Sequence, residues 1–449
     1  MDGSADGNPY LSGNFAPIAD ERSAEALPVE GAIPEALDGR LLRIGPNPVA
    51  PDPSSHHWFL GNGMVHGVRL RGGRAEWYRS RYVRDDEVVE ARGWPAVAGP
   101  RRAEQLGPGV ANTNIIGHAG KLLAVVEAGN LPVELDMDLE TVGRSDFGGT
   151  LPGGFTAHPK RDPSTGELHA CVYSPAWHHL QYVVVGTDGR VRRTVDVATP
   201  GQPMVHDCAL TARYFILLDL PVLFDLEVIA QGFQFPFKWH PEYGARVGLL
   251  PREGSADQVI WCEVEPCAVF HPMNAYDRAD GNVVLDVARH DKVFDSDMLG
   301  PGDSRPTLDR WVIDPRSGKV REHRLDDRPQ EFPRHDERRV GLPYRYGYTA
   351  AARGGEMTFG ALIKHDLEQG TRESREAPAG VSFMEPVFVP ASDGAAEDEG
   401  WVMVYTYDAA RNGSDVLILD ARDLTGDPVA TVRLPGRVPY GFHGNWVPA

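Results

Sequence analysis

The sequence predicts an all-β fold, and at this length a single β-propeller. Three observations predict it: short β-prone runs recur along the whole chain, turn residues separate them, and amphipathic helices are few. In chain order the runs are "KLLAVVEAGN", "HLQYVVVGTDGRVRRTVDV", "YFILLDLPV", "DGNVVLDVARH", "RWVIDPRSGKVREHRL", "GWVMVYTYD" and "DVLILDARD". Within or beside them, "TDGR", "ADGN" and "RSGK" are hairpin signals, because Gly and Asn tolerate the positive φ that tight turns demand. "SAEALPVEGAIPEAL" is broken as a helix by its prolines. A simple barrel would need far fewer than 449 residues, so the strand count points to one propeller spanning 1–449. Residues 1–38 read as an extension wrapping it, with loops and short helices capping one face. No WD or kelch-type repeat is visible, so the prediction rests on strand count.

Composition bounds the rest. The 49 glycines and 37 prolines are about a fifth of the chain, against roughly 12% in average usage, and they are scattered as punctuation between apolar runs. The formal charge of −19 leaves no basic footprint for nucleic acid. Cys171, Cys208, Cys262 and Cys267 form no CxxC pair, which predicts free, buried thiols in a reducing compartment. The opening "MDGSADGNPYLSGN" lacks the basic and apolar regions of a secretory signal, and no run reaches membrane-span length. The expectation is a cytoplasmic enzyme with no obligate protein partner. "PVLFDLEVIAQGFQFPFKW" (221–239) departs from the strand pattern. It reads as an apolar lip, a peripheral membrane contact, or an insertion packed on the propeller face.

Four of the sixteen histidines share apolar or small neighbours and a nearby turn residue: His158 in "GGFTAHPK", His206 in "QPMVHDCAL", His271 in "AVFHPMNAY" and His443 in "YGFHGNW". A buried imidazole must find a partner. These four are too dispersed to share a helix turn, so they can converge only from separate units facing a common centre, as on a propeller axis. Four neutral imidazoles suit iron, copper, nickel or zinc. His66 in "GMVHGV" has a similar setting, and nothing in the sequence excludes it. His290, His323 and His335 sit among charged residues and are expected to be solvated. Glu127, Glu331 and Glu385 lie in apolar surroundings, where a carboxylate needs a partner. They suit the second ring nitrogen of a metal-bound histidine.

At these residues the chain resembles the carotenoid cleavage oxygenase family, which includes stilbene- and phenylpropenoid-cleaving enzymes. The likeness runs from "GRLLRIGPNPV" and "HWFLGNGMVHGVRL" through "ANTNIIGHAGKLLAVVEAGN", "FTAHPKRDPSTGEL" and "MVHDCALTARYFILLDLPV". It continues in "VFHPMNAYD", "EFPRHDERRVGLPYRYGY" and "EPVFVP", and closes with "LPGRVPYGFHGNW". The resemblance implies seven blades and one axial Fe(II), with dioxygen as co-substrate. It implies His158, His206, His271 and His443 as iron ligands, and Glu127, Glu331 and Glu385 orienting three of them. The implied reaction is oxidative cleavage of a C=C bond in an apolar conjugated alkene to two carbonyl products. No other protein residue is required as a catalytic group.

The stilbene-cleaving branch is expected to carry a lysine before the first of these glutamates, and here Val126 stands there. That favours a carotenoid or apocarotenoid over a stilbene, with phenylpropenoids of the isoeugenol or vinylguaiacol type as the alternative. Two other classes are a propeller hydrolase or lactonase, which would bind calcium through oxygen donors, and a non-catalytic binding scaffold. The closing "VPYGFHGNW" (438–446) would return to the axis, with Gly441 and Gly444 turning the backbone near the metal and its aromatics excluding water.

Overall fold

The computed structural model describes residues 7–101, 109–353 and 358–449, so the first six residues of the expected 1–38 extension lie outside the described residues. The chain is mostly antiparallel strand, arranged as consecutive meanders. The first sheet holds Gly39–Pro46, Gly63–Arg71 and Arg74–Tyr82, with Arg22–Glu25 on one edge and Gly444–Pro448 on the other. Four-stranded sheets follow, each built from a continuous stretch of chain that begins at Asn114, Lys160, Ala209 or Ala268. A ten-stranded sheet takes up Gln330–His335 through Ala430–Arg433 and recruits Val29–Gly31 from near the N-terminus. The "SAEALPVEGAIPEAL" segment thus supplies two edge strands and no helix.

The turn residues act as their chemistry predicts. "TDGR" joins His179–Val185 to Val191–Ala198, "ADGN" joins Ala268–Asp277 to Val283–His290, and "RSGK" joins Thr307–Asp314 to Lys319–Asp326. Gly189, Gly281 and Gly318 have φ of 74°, 90° and 68°, the left-handed region that glycine enters without a Cβ penalty.

Side chains alternate across each strand, so every sheet presents an apolar face to each neighbour. Leu42, Val65 and Trp77 of the first sheet pack on Leu122, Ala124 and Val133 of the second. Leu123 and Val125 meet Leu168 and Val183 of the third, whose Tyr182 and Val184 meet Phe215 and Leu217 of the fourth. Leu218 and Leu249 meet Leu285 and Trp311 of the fifth, whose Met273 and Leu308 pack with Tyr344. Tyr348 and Leu362 then meet Val402 and Leu419 within the large sheet. Finally Met403 and Ile418 return to Leu41 and Tyr78 of the first sheet, closing the ring. Lys160–Arg161, Ala209–Leu210, Ala268–Asp277 and the closing Gly444–Pro448 are all sheet edges. Their ends gather the candidate site. The four cysteines are buried and free, as expected.

Candidate metal centre

His158 precedes the strand Lys160–Arg161, His206 precedes Ala209–Leu210, His271 lies in Ala268–Asp277, and His443 precedes Gly444–Pro448. Four different sheets therefore deliver one imidazole each, and one ligand nitrogen from each lies within 4.8 Å of all the others. Nε2–Nε2 separations are 3.0 Å for His158–His206, 3.2 Å for His206–His271 and 3.1 Å for His271–His443. All four residues are at least nine-tenths buried.

Behind the rings stand the three glutamates. Glu331 Oε2 accepts from His271 Nδ1 at 2.6 Å, and Glu385 Oε1 accepts from His443 Nδ1 at 2.9 Å. Glu127 Oε2 lies 2.7 Å from His206 Nδ1 but off the hydrogen-bonding direction, a close ionic contact rather than an aligned bond. His158 has no such carboxylate: Asp207 is 3.9 Å from its Nδ1 and is committed to Lys160 Nζ at 2.8 Å and the Cys208 N–H. Burial works to raise Glu331 and Glu385. The facing cationic and imidazole groups outweigh it, so Glu331 lies below the usual carboxylate range and Glu385 at about 2. Burial drives His158 well down, with the other three imidazoles adding to the effect, and drives His443 to about 3 against the pull of Glu385. On His206 burial is the largest single influence, but Glu127 and the other carboxylates outweigh it and the value rises.

This donor set fits a transition metal. An imidazole that gives its Nδ1–H to a carboxylate points a bare lone pair from Nε2. Such lone pairs converging at 3.1–3.2 Å repel unless a cation lies between them. Nitrogens about 2.1 Å from a shared metal stand about 3.0 Å apart at right angles and about 3.4 Å apart in a tetrahedron. The observed spacing is nearer the former, unlike a closed structural zinc site.

Two cavities meet at the four rings. One, of about 690 Å³, is walled by Phe59, Phe235, Phe270, Phe332, Phe359 and Phe442 and reaches His206, His271 and His443. The other, of about 570 Å³, is the more polar of the two, with Asn114, Lys160, Asp207 and Arg334, and reaches His158, His271 and His443. The 221–239 segment forms a small hairpin around a short helix, Leu226–Ala230. It turns Phe235 and Phe237 into the apolar cavity and leaves Leu226 and Ile229 67% and 48% exposed.

The sequence left His66 open and expected His290 and His335 to be solvated. His66 is not a ligand: its Nδ1 pairs with the Tyr78 hydroxyl at 2.8 Å. His290 is buried rather than solvated, its Nε2 3.0 Å from Glu331 Oε1, and it lines the apolar cavity. Alternation along Val283–His290 explains it, since Arg289 and His290 face opposite sides of the sheet whatever their shared charged neighbourhood. His335 is half-buried, and burial pushes it to about 3, while His323 is exposed as expected. The sequence also did not single out Tyr173, whose hydroxyl donates to Glu127 Oε1 at 3.1 Å, or Arg334, which lies 3.2 Å from Glu385. Both sit at or near strand ends like the glutamates they serve, a signal visible only once those glutamates are placed.

An antiparallel propeller with four converging imidazoles and three carboxylates behind them defines a candidate metalloprotein centre. The family model described as "Retinal pigment epithelial membrane protein" matches residues 15–448. A carotenoid cleavage oxygenase of Mycobacterium tuberculosis (strain ATCC 25618 / H37Rv) is 46% identical over 491 aligned positions, covering 98% of both chains. Among solved structures, Pseudomonas brassicacearum lignostilbene dioxygenase superposes with a TM-score of 0.89 at 30% identity, over 98% of each chain. Cobalt-substituted Synechocystis apocarotenoid oxygenase gives 0.86 at 30% identity, over 96% of this chain and 97% of that one. The chain belongs to the carotenoid cleavage oxygenase family and is a dioxygenase-type oxidoreductase.

Proposed function

We propose that this protein is a non-haem Fe(II) dioxygenase that cleaves a C=C bond of an apolar conjugated alkene, a carotenoid or apocarotenoid, to two carbonyl products. The observation that carries the reading is the convergence of four imidazole nitrogens, three of whose rings line an aromatic cavity of about 690 Å³. His158, His206, His271 and His443 would hold the metal, one per chain. Bound there, Fe(II) would supply activation of dioxygen beside the alkene, both oxygen atoms ending in the two carbonyls. Glu331 and Glu385 fix the tautomer and tilt of His271 and His443, and Glu127 braces His206. The phenylalanine walls exclude water and hold a flat conjugated chain by ring contacts. The Tyr173 hydroxyl and the His290 Nε2–H are both engaged by glutamates, which leaves neither as a free acid or base.

Cavity chemistry supports the substrate class. No lysine lines the apolar cavity among the described residues, and Val126 and Ala128 flank Glu127 in its wall. The arginine in its lining, Arg305, is exposed, so no lysine or arginine of the lining stands beside Glu127 for a phenolate to meet. The structural likeness to lignostilbene dioxygenase keeps a stilbene or phenylpropenoid as the second reading. A calcium hydrolase needs convergent oxygen donors, whereas nitrogens converge here.

Joining the hydrophobic interfaces in order gives seven sheet-to-sheet contacts around the ring, provided the ten-stranded sheet is divided at Val381–Phe383. On that division the chain is one seven-bladed domain, with residues 22–31 wrapping its outer edges. The exposed Leu226 and Ile229, on the same hairpin as the cavity's Phe235 and Phe237, suit contact with a lipid surface that delivers substrate. No helix among the described residues is long and apolar enough to cross a membrane.

The test is anaerobic Fe(II) reconstitution, then oxygen uptake on apocarotenoids, stilbenes and propenylphenols under ¹⁸O₂. One iron per chain and label in both products supports the proposal. Calcium in place of iron, or no metal, overturns it.

A further inference from the structure

The three carboxylates behind the histidines are backed by different groups. Glu127 accepts from the Tyr173 hydroxyl, Glu331 faces His290 Nε2, and Glu385 Oε1 lies 3.2 Å from Arg334 Nη1. Of the three, only Arg334 carries a permanent charge. Its side chain is 15% exposed, at the wall of the polar cavity, and that of Glu385 is 2% exposed. The same guanidinium donates to the Gly444 carbonyl oxygen at 2.9 Å, to Asn445 Oδ1 at 2.9 Å and to Glu337 Oε1 at 2.7 Å. Glu337 is 60% exposed, so water screens that last pair. Asn445 in turn donates to Asn114 Oδ1 and the Ile115 carbonyl, at 2.9 and 2.8 Å, which ties the last strand to the second sheet. One planar fork thus grips both the carboxylate that holds the His443 ring and the backbone that carries it.

We propose that Arg334 is a positioning residue of the metal centre: its guanidinium fixes Glu385 and residues 444–445 as one unit, and its charge limits how far Glu385 draws the Nδ1 proton from His443. This rests on the metal reading above. A carboxylate paired with a cation is a weaker acceptor, so Glu385 draws less on the His443 Nδ1–H. Without the cation, Glu385 pulls harder, the imidazole becomes a stronger donor, and the ferric state gains over the ferrous. Position and charge separate by substitution: Arg334→Gln loses both, and Arg334→Lys keeps the charge and loses the fork.

The experiment loads the full chain and both variants anaerobically with Fe(II). Release of iron to excess chelator is timed. Separately, the ferric fraction is read by electron paramagnetic resonance at a fixed ferricyanide/ferrocyanide poise, one electron passing from each oxidised iron to ferricyanide. Arg334→Gln is expected to release iron about 10–100-fold faster and to hold more ferric iron. Arg334→Lys is expected to recover the wild-type ferric fraction with intermediate release. Wild-type release in Arg334→Gln, or one ferric fraction in all three forms, overturns the proposal. If Arg334→Gln fails to fold, release from Arg334→Lys decides: faster supports it, unchanged overturns it. A wild-type chain that takes up no iron overturns the metal reading itself, which equal behaviour of three loaded forms would leave standing.

Discussion

His443 Nδ1 donates to Glu385 Oε1 at 2.9 Å, and the other oxygen of that carboxylate accepts the Gly444 N–H at 2.7 Å. One buried glutamate therefore holds both the ring and the adjoining backbone. Replacing Glu385 with Gln keeps the size but makes one end a donor, which cannot accept from the backbone N–H and the imidazole together. Glu385→Gln should weaken metal retention or turnover by about 10–100-fold. Wild-type metal affinity and rate in that variant would reduce Glu385 to a structural residue.

His443→Ala removes one of four converging nitrogens and leaves the sheets untouched. The variant should lose iron and activity while keeping the circular dichroism of a folded β protein. Full activity would rule out the four-histidine centre.

Gly444 lies so close to the neighbouring strand Gly39–Pro46 that a Cβ there would strike the Leu42 carbonyl oxygen, and a Cβ on Gly441 would sit 2.8 Å from Gly45 Cα. Gly444→Ala should cost about 1–3 kcal/mol of stability, as overpacking does, and should lower metal occupancy by shifting His443. An unchanged denaturation midpoint with full occupancy would contradict this.

His57 and His66 are buried and held at about 3, chiefly by burial, against an ordinary value of 6.5. Between those values the unfolded chain binds protons that the folded one does not. Stability is therefore present above pH 6.5 and is lost as pH falls, by up to about 1.4 kcal/mol per pH unit for each group. The guanidinium midpoint should drop from pH 7 to pH 5. A flat midpoint over that range would show that neither ring resists protonation.

Val126 lines the apolar cavity next to Glu127. Val126→Lys would place a cation where a phenolic oxygen could meet it. A charge-assisted hydrogen bond of about 1.5–3 kcal/mol predicts a roughly ten- to hundredfold gain in kcat/KM for a 4-hydroxystilbene relative to a polyene. No change in that ratio would mean substrates do not reach this wall.

The hairpins were legible because "TDGR", "ADGN" and "RSGK" carry their own backbone chemistry. The four histidines stood out because apolar neighbours around a titratable ring require a partner, but His66 met the same test, and the family resemblance set the four apart. His290 was misread because flanking charges say nothing about which face of a strand a residue occupies. Gly441 and Gly444 were assigned to turning, whereas neither has a positive φ, and both serve close approach to residues 42–45. That approach depends on a partner strand some 400 positions away along the chain, beyond the reach of any local pattern. It also means that deleting residues 443–449 would remove a sheet strand along with a ligand, so His443→Ala is the cleaner test.

Distant parts of the sequence join in the ring where Gly444–Pro448 pairs with Gly39–Pro46, as they also do where Val29–Gly31 pairs with Ala430–Arg433. His443 stands at the head of the first of these seams. Contacts so far apart in sequence form late, because a long loop must close before they are rewarded. The centre therefore cannot nucleate folding, as the metal of a zinc finger does. A metal held by His443 would complete this protein rather than start it, and any local opening of the seam would also be an exit for the ion.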